Sequence, residues 1–344
     1  MVMTLSLKLS EPCSAPRRQG LVKNTLATII ATILALHASG SATAESYPTR
    51  PIVIISPFSP GSPPDAMGRL IGQKLTQQLG QNVIIENRPG GGTTIATKAG
   101  AAADPDGYTL LYVNATLAYS TALYPNAGYD PVKSFAPVAG LASWSHLLVV
   151  PAEVPAGTVE QLIAYARANP GRVNIGFPLG TPAQVLAETF KTASGAPFTS
   201  VPYRQAAQLT SDLVAGRLHA RFGAGAELIS LVQEGKLKAL AYTGASRHPA
   251  LPQVPTVIES GLPQLALDPG DWIGIVAPAG TPAEAIKTLN AAINETLGSP
   301  EVRMTFAKLD WDVRIGSPEE FATFLAKEAR KWPALVEAAG LKPD

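Results

Sequence analysis

The stretch Pro51-Ile-Val-Ile-Ile-Ser-Pro57-Phe58-Ser59-Pro60-Gly61-Ser62-Pro63-Pro64-Asp65 joins an apolar, β-branched run to a loop of proline, serine and glycine. An amphipathic pattern follows over residues 65–79 and predicts a helix that begins at Asp65. A strand, a short loop and a helix start in this order direct free backbone N–H groups and the positive end of a helix dipole at one point. The segment therefore predicts a binding site for an anion.

Short apolar runs alternate with helical patterns along most of the chain. Two of the runs, 52–55 and 147–150, are continuously apolar, which is typical of strands covered on both faces. This alternation predicts an α/β fold with parallel sheets. The predicted strands are 51–56, 82–86, 108–113, 146–150, 172–177, 199–201, 218–222, 237–242 and 272–277, and the predicted helices are 65–79, 158–168, 182–193, 206–215, 282–297 and 318–339.

Nine strands in a chain of 344 residues are more than one small domain needs. We therefore expect two lobes, one formed by residues 45–145 plus 265–344 and the other by residues 146–264. The chain would cross between the lobes near 145–151 and 261–270. A cleft between two α/β lobes is the expected position of a ligand.

The first 44 residues have the pattern of a secretory signal peptide. Arg17, Arg18 and Lys23 precede an uncharged run at 25–36, and small residues follow up to Ala44. The run is too short to span a bilayer, so we expect cleavage near Ala44 and export of the remaining chain. The only cysteine of the sequence lies in this leader, which excludes thiol chemistry and disulfides from the exported part.

The charge balance argues against nucleic acid as a partner. The whole sequence has 27 basic and 26 acidic residues, of which 23 and 25 lie after residue 44. A protein that binds nucleic acid normally carries a basic surface. A small anion held by local backbone dipoles remains compatible with this balance.

Few residues suggest catalysis or a bound metal. Beyond the leader the only histidines are His146, His219 and His248, without a metal-ligand spacing or an acidic cluster, so we predict no metal and no cofactor. We expect His219 to be structural and His248 to be solvated, and His146 to line a cleft or to pack inside. The members of a Ser–His–Asp triad need not be close to each other in the sequence, so a secreted α/β hydrolase remains an alternative.

Three loops follow predicted strands and precede helical patterns, namely 57–65, 90–94 and 180–182. Together they predict a convergent anion site better than any one of them does. Asp65 could act only as an N-cap that accepts a hydrogen bond from the first helical turn. We expect it to organise its loop and not to contact the anion. The loop 90–94 lacks the lysine of a phosphate-binding loop.

Many further motifs occur in register along residues 46–342. They include Tyr47-Pro-Thr-Arg-Pro51, Val83-Ile-Ile-Glu-Asn-Arg-Pro-Gly90, Pro105-Asp-Gly-Tyr-Thr-Leu110, Phe135-Ala-Pro-Val138, Val201-Pro-Tyr203 and Ala277-Pro-Ala-Gly-Thr-Pro282. In these motifs the chain resembles the Bug-type substrate-binding proteins of tripartite tricarboxylate transporters.

The resemblance implies a periplasmic, non-catalytic, monomeric protein with a two-lobe type II flytrap fold, in which mixed, mainly parallel sheets flank an interlobe cleft. Such proteins close on a small carboxylate and deliver it to membrane permease subunits, without a cofactor. A ligand sensor for a membrane kinase is the alternative role. By resemblance, backbone amides of Ser59, Gly61 and Ser62 face those of Gly180 and Thr181 across the cleft. The predicted ligand-binding residues are Phe58, Ser59, Gly61, Ser62, Asn114, His146, Gly180, Thr181 and Gly223, with Asp65 structural beside them.

The departures from the family pattern fall in this predicted pocket. Ser62 replaces a common glycine, and the two prolines after it remove two N–H donors. Gly223 stands where an aspartate that suits an ammonium group is frequent, which argues against an amino-acid ligand. The apolar segment 177–179 suggests a ligand with an apolar or aromatic body beside its carboxylate.

Overall fold

The computed structural model describes residues 47–204, 206–267 and 269–341. The predicted leader and its cleavage position lie outside the described residues. The strands are β1 Ile52–Ser56, β2 Val83–Asn87, β3 Thr109–Asn114, β4 Phe135–Trp144, β5 Leu147–Pro151, β6 Asn174–Pro178, β7 Thr199–Tyr203, β8 Ala220–Gly223, β9 Leu237–Tyr242, β10 Asp271–Pro278 and β11 Asp312–Val313. The helices are α1 Pro63–Leu79, α2 Thr94–Ala101, α3 Thr116–Leu123, α4 Val159–Ala168, α5 Pro182–Ser194, α6 Ala206–Val214, α7 Ala226–Gln233, α8 Ala283–Gly298, α9 Pro300–Lys308 and α10 Pro318–Ala338.

The strands form two sheets. The first has the order β11-β4-β10-β3-β1-β2 and the second the order β7-β6-β8-β5-β9. Strand β1 pairs in parallel with β2 and β3, and β6 pairs in parallel with β7 and β8. Within the described ranges the other five pairs are antiparallel. The sheets are therefore mixed, and the expectation of mainly parallel sheets was wrong in this detail, because β4, β5 and β10 run against their neighbours.

Helix α1 begins two residues earlier than the amphipathic pattern predicted. Its N-cap is Ser62 and its first residue is Pro63, whose fixed φ suits the first helical turn. Asp65 is therefore the third helical residue and not the N-cap. On the inner face Met67, Ile71 and Leu75 are buried, and they join the apolar cluster of the first sheet.

The long strand β4 was missed because Pro137 and Gly140 interrupt its apolar pattern. The structure accommodates them through two register shifts between β4 and β10. Asn290 from α8 donates a hydrogen bond to the carbonyl of Val138 at 2.8 Å. Helices α3, α7 and α9 and the short strand β11 were also absent from the prediction, because each is short and gains its stability from packing.

One apolar cluster joins the two sheets. It contains Leu111 and Val113 of β3 together with Leu148 of β5 and Phe222 of β8. Helix α10 contacts both α3, beside the first sheet, and α5, beside the second. Strands of the two sheets end next to this shared cluster, and these strand ends hold the candidate site.

A prediction concerns Gly274 in β10, which lies beside a register shift. A Cβ at this position would lie 2.9 Å from the carbonyl oxygen of Ala139 and would also clash with the ring of Phe321. Gly274→Ala should therefore lower the free energy of unfolding by about 1–3 kcal/mol, as overpacked core sites do. Chemical denaturation measures this change.

The matched control is Gly298→Ala at the exposed end of α8, where a Cβ meets no atom within 4 Å. Alanine is the better helix former, so this variant should be as stable as the parent or up to about 1 kcal/mol more stable. Equal stability of the two variants would contradict the packing assigned to Gly274.

Candidate functional site

A cavity of about 310 Å³ lies where the two sheets meet. Trp144 and Asp271 border it from the first sheet, and His146, Arg221 and Gly223 border it from the second. Its other lining residues are Pro63, Pro178, Thr181, Ala183, Ala224, Gly225, Ala226, Glu227, Lys308, Leu309 and Trp311.

A larger hollow of about 500 Å³ lies beside β11 and the start of α10, and only elements of the first sheet border it. We take the smaller cavity as the candidate site, because both sheets contribute to it and buried polar groups line it.

One wall of the cavity is aromatic and apolar. The rings of Trp144 and Trp311 stack with their centroids 4.3 Å apart and their planes 10° from parallel. Pro178, Ala183 and Leu309 extend the apolar surface. Such a wall can cover the apolar body of a ligand.

Three helix N-termini border the cavity. Pro63 is the first residue of α1, Thr181 is the N-cap of α5, and Gly225 is the N-cap of α7. Neither the Thr181 nor the Ser62 side chain caps its helix, and a glycine has no side chain to do so. The positive ends of three helix dipoles therefore act on the cavity.

Burial shifts the pKa of the polar groups in the wall. His146 is buried, and burial followed by the nearby charge of Arg221 lowers its pKa to about 3, so the ring is neutral at physiological pH. Its Nδ1 has no hydrogen-bond partner among the described residues. Burial raises the pKa of Asp271 to about 7, although the backbone N–H groups of Trp272 and Ala115 act in the opposite direction.

The first loop is held together by Asp65, whose side chain is buried. Its carboxylate accepts hydrogen bonds from the Gly61 amide at 2.9 Å, from Arg69 Nε at 3.0 Å and from Asn87 Nδ2 at 2.6 Å. Burial raises the pKa of Asp65, but these hydrogen bonds outweigh that effect and the net shift is downward. The Ser62 amide donates to Ser59 O at 3.1 Å.

The loop between β6 and α5 is also bonded internally. The Gly180 amide donates to Gln184 Oε1 at 2.7 Å, and Thr181 Oγ1 donates to Pro178 O at 2.7 Å. The hydroxyl of Tyr119, from α3 beside the first sheet, donates to Gly180 O at 3.1 Å. This bond joins elements of the two sheets.

The structure brings three of the predicted ligand-binding residues to the cavity, namely His146, Thr181 and Gly223. The other six predicted residues are not among its lining residues, namely Phe58, Ser59, Gly61, Ser62, Asn114 and Gly180. Phe58 packs edge-on against Tyr112 with a centroid distance of 5.0 Å, and Asn114 ends β3 opposite Ile273. Whether these six residues touch a ligand stays a prediction.

Sequence reasoning missed Arg221, Asp271 and Trp311. Arg221 lies two residues before Gly223 on β8, so both belong to the same face of the strand, and that spacing was a usable signal. Asp271 and Trp311 carry no local signal, since only the tertiary pairing of β10 and β11 with β4 brings them to the cavity. Of the three loops that the sequence suggested, 90–94 does not line the cavity. The start of α7 lines it instead.

The expectation that His248 is solvated was wrong. The residue is buried, and its Nε2 lies 2.8 Å from Asp310 Oδ1. Burial raises the pKa of Asp310, and this contact partly offsets the rise. His219 Nδ1 accepts a hydrogen bond from the Asn174 amide at 3.1 Å, within the second sheet.

Over 47–204, 206–267 and 269–341, the His, Cys, Asp and Glu side chains form no group of three or more that could hold a metal ion. In the same ranges, every helix is too short or too polar to cross a membrane.

A prediction follows from the contacts of Asp65. Asp65→Ala leaves the Gly61 amide and the Asn87 side chain without their acceptor, so the free energy of unfolding should fall by about 2–4 kcal/mol. Arg69→Ala is the control, because the Arg69 side chain is 51% exposed and its removal should cost below about 1 kcal/mol. Urea denaturation distinguishes the two, and equal losses would contradict a central role for the carboxylate.

A second prediction concerns Asp271 and pH. Its pKa of about 7 in the folded state exceeds the ordinary value near 4, so the stability that protonation adds is complete below about pH 4 and is lost as the pH rises through 7. Asp271→Asn keeps an oxygen acceptor and removes the titration. Its melting temperature should therefore exceed that of the parent by a margin that grows from pH 4 to pH 7.5.

His146 contributes an opposite slope, because its lowered pKa makes the fold less stable as the pH falls below 6.5. Taking the difference between parent and variant at each pH cancels this contribution. A margin that stays constant over the whole range would refute the raised pKa of Asp271.

Comparison with known proteins identifies the family. The model of the "Tripartite tricarboxylate transporter family receptor" matches residues 67–341. Protein BugT of Bordetella pertussis is 34% identical over 302 residues, which cover 87% of this chain and 92% of BugT. Two solved structures are similar, and in each case the match covers 87% of this chain and 100% of the other. The periplasmic binding protein BugD is 27% identical with a TM-score of 0.75. An R. palustris protein with adipate is 32% identical with a TM-score of 0.76.

These matches resolve the choice between a binding protein and a hydrolase, since the family consists of solute-binding receptors and not of enzymes. The two mixed α/β sheets are those of the two-lobe type II fold. The chain belongs to the receptor family of the tripartite tricarboxylate transporters, the Bug-type periplasmic solute-binding proteins.

Proposed function

We propose that this protein captures a small organic carboxylate in the periplasm and delivers it to the membrane subunits of a tripartite tricarboxylate transporter. The observation that carries the proposal is the convergence of the N-termini of α1, α5 and α7 on one cavity between the sheets. Uncapped helix N-termini attract anions through their dipoles and free N–H groups. The similar R. palustris protein was solved with adipate, a carboxylate.

The ligand has an apolar or aromatic body beside its carboxylate. Support comes from the stacked rings of Trp144 and Trp311 and from the apolar surface that Pro178, Ala183 and Leu309 add. A cavity of about 310 Å³ has the size of a small-molecule site. A ligand that is charged at one end and apolar at the other would contact both kinds of wall.

Residues 45–145 plus 265–344 form one lobe of the proposed protein and residues 146–264 the other. In support, the first sheet uses strands up to Trp144 and from Asp271 on, and the second uses strands from Leu147 to Tyr242. Hinge motion would occur at 145–151 and 261–270 and would open and close the cavity. A signal peptide cleaved near Ala44 would direct the protein to the periplasm. There it would act as a monomer.

A ligand screen tests the proposal. Melting temperatures are measured with millimolar hexanoate, phenylacetate, adipate and alanine at pH 7.5. Hexanoate or phenylacetate should stabilise the protein most, since ligand bound only to the folded state raises its melting temperature, and alanine should have no effect. Stabilisation by adipate alone would contradict the apolar body. Stabilisation by alanine alone would contradict both the apolar body and the argument against an amino-acid ligand, and no stabilisation by any of the four would contradict the capture of such carboxylates.

Trp311→Ala then tests the aromatic wall. Loss of one ring face should weaken phenylacetate binding roughly 10-fold, which corresponds to about 1.4 kcal/mol. Met304→Ala is the matched control, because Met304 lies on α9, the helix whose Lys308 lines the cavity, but its own side chain is exposed and outside the lining. Calorimetric titration should give an unchanged dissociation constant for the control.

A further inference from the structure

Arg221 is a buried cation in the wall of the cavity. It belongs to β8, is 7% exposed and lines the cavity. Its Nη1 donates to Thr210 Oγ1 at 2.8 Å and its Nε to Phe222 O at 3.4 Å, so both acceptors are uncharged. Across residues 47–204, 206–267 and 269–341, Arg221 takes part in no ion pair, and its Nη2 donates to no protein group.

The guanidinium is charged at physiological pH. Burial lowers the pKa of Arg221 to about 10, while Glu227 on α7 acts through space in the opposite direction. Glu227 is exposed and does not pair with it. An isolated charge inside a protein is destabilising unless it is paired, so this residue calls for an anionic partner.

Gly223 provides the space that the guanidinium occupies. A Cβ at position 223 would lie 2.6 Å from Leu228 Cδ1, 2.7 Å from Arg221 Nη2 and 2.9 Å from Nε. A side chain at this position would therefore press on both the guanidinium and Leu228.

The backbone amides that the sequence predicted for carboxylate binding are largely engaged elsewhere. The Gly61 amide donates to Asp65, the Ser62 amide to Ser59 O and the Gly180 amide to Gln184. Three of the first helical residues, Pro63, Pro64 and Pro182, have no N–H group. The cavity therefore has fewer backbone donors than three helix N-termini would otherwise supply.

We infer that Arg221 is the side-chain anchor for the ligand's carboxylate, and that Gly223 determines this specificity by leaving the guanidinium its position. The inference rests on the proposed carboxylate binding and assigns it to a guanidinium instead of to loop amides. The free N–H groups of Arg221 can form a charge-assisted pair with a carboxylate, and the Trp144–Trp311 stack covers the apolar remainder.

The test compares each carboxylate with its uncharged amide in calorimetric titrations. The probes are hexanoate with hexanamide and phenylacetate with phenylacetamide. The parent protein should prefer each acid by at least 10-fold. Arg221→Met should lose 10- to 100-fold in affinity for the acids and should no longer distinguish acid from amide. The affinity of Arg221→Lys for the acids should lie between those of the parent and of Arg221→Met, because an ammonium group lacks the bidentate geometry of a guanidinium.

A structural role for Arg221 predicts different results. If the residue only supports the fold, Arg221→Met lowers the melting temperature of the free protein and keeps the preference for the acid, and this overturns the inference. If Arg221 is the anchor, the free variant melts at the same or a higher temperature, because an unpaired buried charge has been removed.

Gly223→Ala serves as a second variant that keeps the charge and displaces it. It should weaken acid binding at least 10-fold. Gly244→Ala is its matched control, since a Cβ there would lie 2.5 Å from Tyr242 Cε1, a comparable clash just after β9 that involves no lining residue of the cavity. Equal effects of the two glycine variants on acid binding would overturn the inference.

The two proposals fail in distinguishable ways. If the parent binds acids and Arg221→Met binds them equally well, carboxylate capture stands and the anchor is wrong. If the parent binds neither acid, capture of such carboxylates is wrong and the anchor, which depends on it, is wrong as well.

Discussion

The return of β10 into the first sheet is the constraint on which the rest of the structure depends. The chain builds β1 to β4, leaves to build the whole second sheet, and comes back to insert β10 between β3 and β4. This pairing sets Asp271 opposite Trp144 at the edge that faces the second sheet. The pairing of β5 with β8 sets Leu147 opposite Gly223 on the other side. The cavity exists because these two ladders end at the same place.

Sequence reasoning recovered the elements whose pattern is uninterrupted and missed those that depend on packing. The strand predicted at 237–242 has the observed bounds of β9, whereas Pro137 and Gly140 concealed β4. The loops before α1 and α5 were found because helix starts carry a local proline and hydroxyl signal. Trp311 could not be found in this way, since it meets Trp144 only after β11 pairs with β4.

Burial is the main cause of the pKa shifts in three groups of the cavity wall. It disfavours their charged forms, lowering the pKa of Arg221 and His146 and raising that of Asp271. At neutral pH the imidazole is uncharged and the carboxyl group is close to its midpoint, so the guanidinium is the one of these three groups that remains fully charged. In surroundings of low polarity its field is weakly screened, which favours an anion over a neutral ligand of the same shape.

The chain has four tryptophans, and the fold divides them into two pairs. Trp144 and Trp311 stack beside the cavity, whereas Trp272 and Trp332 are buried and both donate their indole N–H to Glu328, at 2.9 and 2.7 Å. The buried pair is shielded from whatever enters the cavity, and the stacked pair is in contact with it. The protein thus carries its own optical reporter, in which the emission of one pair responds to occupancy against a constant background from the other.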